Sequence, residues 1–252
     1  MRAGVRLVLS LNRYLPLLIV AAVWQILAYT PVRAEGLLPT FSDCVVAAWG
    51  LINHGGLLFQ LGVSLLRALA GLFIAIGVGI FIGLGMSYVP AIRRTIGPIV
   101  TMTYSLPKSA LIPILFIWMG VGNAADITVA VLGAVVPIIV STYEGIRNLP
   151  LQYTRSAQSF GAGKYHIFFT VTVPAILPFI VPAFRIALAF SMVIVISAEM
   201  VGSFVGVGQY TYNLGQNGNY DKMWGCIIVT VVVIYIIDQV AAYGMRYLLR
   251  WQ

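Results

Sequence analysis

Long apolar runs separated by short polar breaks fill most of this chain. A helix needs about 20 apolar residues to cross the hydrocarbon core of a bilayer. Six runs approach that length: Tyr14 to Thr30, Ala68 to Ser87 with a less hydrophobic lead-in from Leu57, Ile96 to Val121, Ile127 to Tyr143, Pro174 to Ala198, and Gly225 to Met245. Residues 37–53, with Pro39, Asp43 and Trp49, interrupt the series and read as a short interfacial helix. Gly202 to Lys222, rich in Gly, Asn and Tyr, reads as a loop on the far side of the membrane. The pattern predicts an all-α, polytopic membrane protein of about six transmembrane helices. No long repeat or low-complexity linker divides it, so residues 1–252 read as a single domain.

One polar break differs from the others. Arg155-Ser156-Ala157-Gln158-Ser159-Phe160-Gly161 leads into Val171-Thr172-Val173-Pro174. Tyr153, Ala157 and Phe160 fall at helical spacing on one apolar face, while Gln152, Arg155, Ser159 and Lys164 point elsewhere. Gly161 suits a helix C-terminus because it tolerates positive φ. Ile167, Phe168 and Val171 make a second apolar face before Pro174 opens the next run. Residues of about 150–173 therefore predict a helix, a turn and a second helix that re-enters lipid. A membrane chain gains little from such a compact segment unless a soluble partner grips it; an ordered cytoplasmic loop is the plainer alternative.

Composition supports the bilayer as solvent. The chain is 60% hydrophobic and 9% charged, with mean hydropathy +0.97, against about 45–50% and about 25% for soluble domains. The net charge of +8 does not signal nucleic acid, because the basic residues lie in small groups between apolar runs. They instead orient the protein. Arg2, Arg6, Arg13, Arg93, Arg94, Arg147, Arg155, Lys164, Arg246 and Arg250 fall on one side and Arg33 and Lys222 on the other, ten against two. Both termini and the polar segment are thereby assigned to the cytoplasm. Arg2, Arg6 and Arg13 ahead of an apolar run, with Val32 and Ala34 behind it, resemble a secretory signal. The length of the run and the spans that follow favour a retained first span. Cys44, Cys226, His54 and His166 show no metal-ligand spacing.

Gly71, Ala75, Gly79, Gly83 and Ser87 recur every four residues in the second run. Small residues at this spacing let helix backbones approach closely in lipid. They mark either packing within the chain or a homodimer seam. Charges inside spans are costly and are usually paired or functional. Lys108, beside Pro107 and between Pro98 and Pro113, lies in a run whose prolines free backbone groups that lipid cannot satisfy. It reads as an anion-attracting charge in a pathway, an ion-pair partner or a snorkelling side chain. Arg185 and Glu199 share one run, 14 residues apart and too far to pair along a straight helix; they read as packing, gating or solute-contacting charges. Asp238 pairs with a neighbouring helix or snorkels. Ser105, Ser191 and Ser197 are candidate pathway hydroxyls, although mid-helix serines commonly bond their own backbone.

Gly161-Ala162-Gly163-Lys164 ends like a phosphate-binding loop, but Gln158 replaces its first Gly and Tyr165 its Ser or Thr, and no strand precedes it. No catalytic cluster can be assembled either, so the chain does not read as an enzyme.

On these residues the chain resembles the inner-membrane permease family of bacterial ATP-binding-cassette importers. That family's cytoplasmic signature has Glu-Ala-Ala, a glycine four residues after the last Ala, and a hydrophobic-x-Leu-Pro close. Ala157, Gly161 and Val171-Thr172-Val173-Pro174 match it, while Arg155 and Ser156 stand where the signature has Glu and the first Ala. Ser64 to Gly71, Leu106 to Pro113, Trp118-Met119-Gly120-Val121-Gly122 and Ala198-Glu199-Met200 are similar to the branch that serves nitrate, sulfonate, taurine, bicarbonate and vitamin-precursor uptake. The resemblance implies a type I importer fold in the bacterial inner membrane. It implies a coupling helix contacting ATPase subunits through Tyr153, Arg155, Ala157, Phe160, Gly161 and Lys164. It also implies a second permease copy, identical or related, and a periplasmic or lipoprotein solute-binding protein. ATP and Mg would be bound by the partner ATPases and no cofactor by this chain; the solute would be a small anion such as nitrate, bicarbonate, a sulfonate or taurine. The rival is a standalone secondary carrier or channel. The spans hold few acidic residues for proton or sodium coupling, and no inverted repeat is evident. A membrane scaffold without transport would leave the proline-broken, charged spans without a purpose.

Overall fold

The computed structural model describes residues 15–16, 18–29 and 38–248. Arg2, Arg6, Arg13, Arg33 and Arg250 lie outside the described residues, as do the ends of the first expected span. The elements in chain order are α1 (Leu18–Leu27), α2 (Phe41–His54), α3 (Leu57–Tyr88), α4 (Pro90–Ser105), a 3-10 turn (Lys108–Leu111), α5 (Ile112–Met119) and α6 (Asn123–Arg147). They continue with α7 (Leu151–Ser159), α8 (Lys164–Ile167), a π turn (Phe168–Thr172), α9 (Val173–Gly202), α10 (Val207–Gln216) and α11 (Tyr220–Leu248). No strand occurs among the described residues.

Four stretches are long and apolar enough to cross a membrane: Leu57–Tyr88, Asn123–Arg147, Lys164–Gly202 and Tyr220–Met245. The expected third span is corrected. It is not one helix over Ile96 to Val121 but a broken pair, Pro90–Ser105 and Lys108–Met119, bent by 98°. Pro107 is the cause: its ring drives the preceding residue out of the α region, and Leu106 sits at φ −75, ψ 130. The expected loop at Gly202 to Lys222 is corrected too, since it contains a helix, the 10-residue α10. The lead-in from Leu57 belongs to the same helix as Ala68 to Ser87.

The described chain divides into two compact units. One combines the stretch up to Phe59 with Tyr210–Val232; the other combines Gln60–Gln209 with the segment from Val233. In the first unit Thr40 caps α2 by accepting from Asp43 N–H at 3.2 Å. Trp24 packs edge-on against Phe41 and Trp224 and donates its indole N–H to Pro39 O at 3.1 Å. Gly225 lies against α2, where an added Cβ would stand 2.7 Å from Cys44 O. Cys44 and Cys226 are both buried free thiols.

The second unit is built on α3, α6 and α9. Leu72 and Ala75 of α3, Ala134 and Ile138 of α6, and Ala183, Ala187 and Leu188 of α9 form one buried cluster. The small-residue stripe explains how closely α3 approaches α6. A Cβ on Gly71 would overlap Ala130 Cβ, one on Gly79 would meet Ile138 at 2.8 Å, and one on Gly83 would meet Thr142 at 2.6 Å. Ala75 is fully buried in the same seam, and Ser87 turns its hydroxyl back to Gly83 O. In lipid no hydrophobic effect drives helices together, so this close van der Waals contact carries the association. The stripe faces a helix of its own chain.

Candidate functional site

Two features lie at opposite ends of the second unit. The first is the polar segment. Pro150, at φ −60 and ψ 126, turns the chain out of α6 and starts α7. The helix ends in a Schellman arrangement: Ala162 N–H donates to Ala157 O at 3.1 Å and Gly161 N–H to Gln158 O at 2.9 Å. Gly161 sits at φ +79, a left-handed conformation that a side chain would strain. α8 follows, and the backbone widens into the π turn as it enters α9. Pro174 lies one turn on and has no N–H to return to Thr170 O, a usual setting for such a local change of pitch.

This elbow presents aromatic groups to the outside. Phe160 is 92% exposed, Tyr165 86% and Tyr153 59%. Arg155 and Lys164 are also exposed, whereas Ala157 is half-buried and Ile167 buried. Cavities of about 600 and 450 Å³ flank α7, one lined by Thr154, Gln158 and Tyr165 and the other by Tyr153, Ser156 and Phe179. The helix therefore stands away from the bundle on both sides.

The second feature is a buried charge network that joins α3, α6, α9 and the segment entering α10. Arg67 Nη1 lies 2.9 Å from Glu199 Oε1 and 3.1 Å from Asp126 Oδ2; its side chain is 8% exposed and both carboxylates 0%. Arg67 Nη1 also donates to Val205 O at 2.7 Å, and Nε donates to Asn123 Oδ1 at 2.8 Å. The Ser64 hydroxyl donates to Glu199 at 2.7 Å and accepts from Val207 N–H at 2.8 Å. Gly208 N–H donates to Glu199 Oε2 at 2.9 Å, and Ser203 Oγ donates to Asp126 at 2.8 Å. Gly206, at φ +134, passes so close that a Cβ there would overlap the Glu199 carboxylate. One guanidinium is thus shared by two carboxylates that each accept further N–H or O–H donors, the condition under which buried charge is tolerated.

The network is far from the elbow. Asp126 to Arg147 on α6 is 147 − 126 = 21 residues, about 32 Å at 1.5 Å per residue. That matches a hydrocarbon core of about 30 Å.

The six sequence-based pathway residues are not brought together. No hydrogen bond or ion pair joins any two of them among the described residues. Glu199 is locked in the network. Arg185 pairs with Asp238 of α11, Nε to Oδ1 at 2.8 Å, with the two side chains 43% and 28% exposed. Ser191 and Ser197 turn back to Leu188 O and Val193 O, each at 2.8 Å. Ser105 is exposed and Lys108 half-exposed at the α4–α5 bend. Sequence reasoning passed over Arg67, Asp126, Ser64, Asn123 and Ser203 as site residues. The usable signal was the pairing of Ser64 and Arg67 on one helical face together with three charges in apolar surroundings.

Residues 75–248 match the family described as binding-protein-dependent transport system inner membrane component. The SsuC permease of Escherichia coli (strain K12), provisionally named for aliphatic sulfonates transport, is 31% identical over 238 residues, covering 94% of this chain and 90% of its own. The taurine transport system permease protein TauC of the same organism is 28% identical, covering 76% of this chain and 68% of its own. The bicarbonate transport system permease protein CmpB of Synechococcus elongatus is 28% identical, covering 90% and 85%. Among solved structures, a chain of the inward-facing MetNI methionine ABC transporter aligns with TM-score 0.63 and 24% identity over 79% of this chain and 96% of that one. A chain of a bacterial ABC transporter that imports alginate aligns with TM-score 0.65 and 16% identity over 98% and 99%.

Proposed function

Because this chain belongs to the family of binding-protein-dependent transport system inner membrane components, we propose that it is the permease subunit of an ATP-driven importer in the bacterial inner membrane. In this reading both termini face the cytoplasm. Two permease copies carry two ATPase subunits, which hold the ATP and Mg, and an external binding protein delivers a small solute with an anionic group, such as a sulfonate, taurine or bicarbonate. The observation that carries the reading is the elbow. Phe160 at the end of α7 and Tyr165 in α8, 92% and 86% exposed, are what a soluble partner would grip. Exposed aromatic groups are typical anchors of protein interfaces.

Movement of the attached ATPases would push on α7, and the continuous stretch from Lys164 to Gly202 would carry that push through the bilayer. Solute moves when inward- and outward-facing packings are stabilised differently through the ATPase cycle. The relatives named for sulfonates, taurine and bicarbonate support a solute that carries an anionic group, and so does the half-exposed Lys108 at the α4–α5 bend.

The test removes residues 155–163, or replaces Phe160 by Asp, and measures co-purification of the ATPase from membranes. Loss of the ATPase with unchanged membrane insertion is the expected result. Retained assembly rejects the docking assignment. Solute accumulation by vesicles holding this chain without an ATPase would favour a standalone carrier.

A further inference from the structure

We propose that the cavity bounded by the end of α3, the start of α4 and the end of α6 binds a phosphate group, as an anionic lipid headgroup or as free phosphate. The cavity measures about 510 Å³ and is lined by Ser87, Arg93, Tyr143, Ile146 and Arg147. That volume falls within the range of about 300–1,000 Å³ usual for small-molecule sites. Arg93 lies in the first turn of α4, and Arg147 is the last residue of α6. Neither has a carboxylate within ion-pair distance among the described residues. Glu144, the nearest acidic residue in sequence, is exposed and does not line the cavity.

Two guanidiniums on one cavity repel each other unless an anion lies between them. A guanidinium offers a planar fork that matches two phosphate oxygens at once. Tyr143 adds a phenolic hydroxyl that can donate. Ser87 already donates to Gly83 O at 2.8 Å, which leaves it as an acceptor toward Arg93 or Arg147.

Position favours the same ligand class. The cavity opens where the stretches Leu57–Tyr88 and Asn123–Arg147 both end, the level at which a bilayer presents its phosphates. Basic pockets between helices at that level recognise anionic headgroups. Arg94, one residue along α4, is exposed but does not line the cavity and so serves as an internal control.

The full chain is purified in mild detergent, partly delipidated, and examined by native mass spectrometry. One arm adds phosphatidylglycerol or phosphatidylcholine at equal concentration; the other adds inorganic phosphate. The parent is expected to prefer phosphatidylglycerol by about tenfold or more, each basic residue contributing on the order of fivefold. Arg93→Gln/Arg147→Gln is expected to lose that preference, and Arg94→Gln to keep it. Binding of inorganic phosphate alone, abolished by the same double change, would identify free phosphate as the ligand. Arg93→Lys/Arg147→Lys keeps both charges if the glutamine pair fails to fold, and is expected to bind at intermediate strength because the fork is lost. The proposal is overturned if Arg94→Gln weakens binding as much as the double change, or if neither probe distinguishes the parent from it. None of these results depends on an ATPase or a transported solute.

Discussion

Replacing Arg67 with Met tests the buried network most directly, because Met keeps most of the side-chain volume and removes the charge. Two carboxylates, Glu199 and Asp126, would then stay buried without their shared cation. Ser64, Ser203 and Gly208 would still donate to them, but Val205 O and Asn123 Oδ1 would lose a donor. Removing one partner of a buried ion pair costs about 3–5 kcal/mol, a large part of a folding stability of about 5–15 kcal/mol. For a chain of this size the loss corresponds to a fall on the order of 10 °C in Tm. The measurement is thermal unfolding of the purified protein in detergent, followed by tryptophan fluorescence. Glu199→Gln should recover part of the loss in the Arg67→Met background, giving a coupling energy of about 1–3 kcal/mol in a double-mutant cycle. A shift below about 2 °C, or additive single effects, would refute the view that this ion pair fastens three helices.

Two further outcomes follow from packing and burial. Gly71→Ala forces a methyl group onto Ala130 and within 2.9 Å of Ile127 O; it should cost about 1–3 kcal/mol, whereas Gly77→Ala, which meets nothing within 4 Å, should be neutral or stabilising in the same unfolding assay. At Cys44, burial first and then the charges of Asp43 and Asp221 push the thiol up to about 11. The neutral form therefore persists well above the ordinary thiol range, and the reactive thiolate appears only as pH approaches that value. Alkylation of the folded protein should stay slow at pH 8–9 and speed up when denaturant is added; fast labelling of native Cys44 at pH 8 would contradict its placement.

The helical architecture was legible because lipid demands long apolar runs and satisfied backbone groups, and both leave marks on sequence. Gly161 was legible for a similar reason: few residues other than glycine accept φ +79 at a helix end. The 98° bend was harder to see. Proline positions near Lys108 signalled a disturbed span, but a proline fixes only the local backbone and not the direction in which the chain continues. Pro178 and Pro182 lie inside α9 without ending it, so proline alone does not distinguish a kink from a break. The charge network was least legible. Ser64, Arg67, Asp126, Glu199 and Ser203 come from separate stretches, and the cost of burying a charge shows that a partner exists without naming it. Glu199 and Arg185 share a helix but take different partners, Arg67 and Asp238, on other helices.

These two groups of ion pairs differ in what surrounds them, and that difference sets what each can do. Around Arg67 both carboxylates are fully buried and accept N–H and O–H donors, so the three helices are held by contacts that salt screens little. The Arg185–Asp238 pair is 43% and 28% exposed, and in water an exposed pair contributes little. At bilayer depth, however, an exposed charge facing acyl chains is costly, and such groups face protein or water instead. The side of α9 and α11 that carries this pair is therefore turned away from lipid. In the importer reading that side meets either the second permease copy or a hydrated route between copies. The network at one end and the elbow at the other are joined by the unbroken α6 and α9, whereas α4 and α5 are interrupted between them.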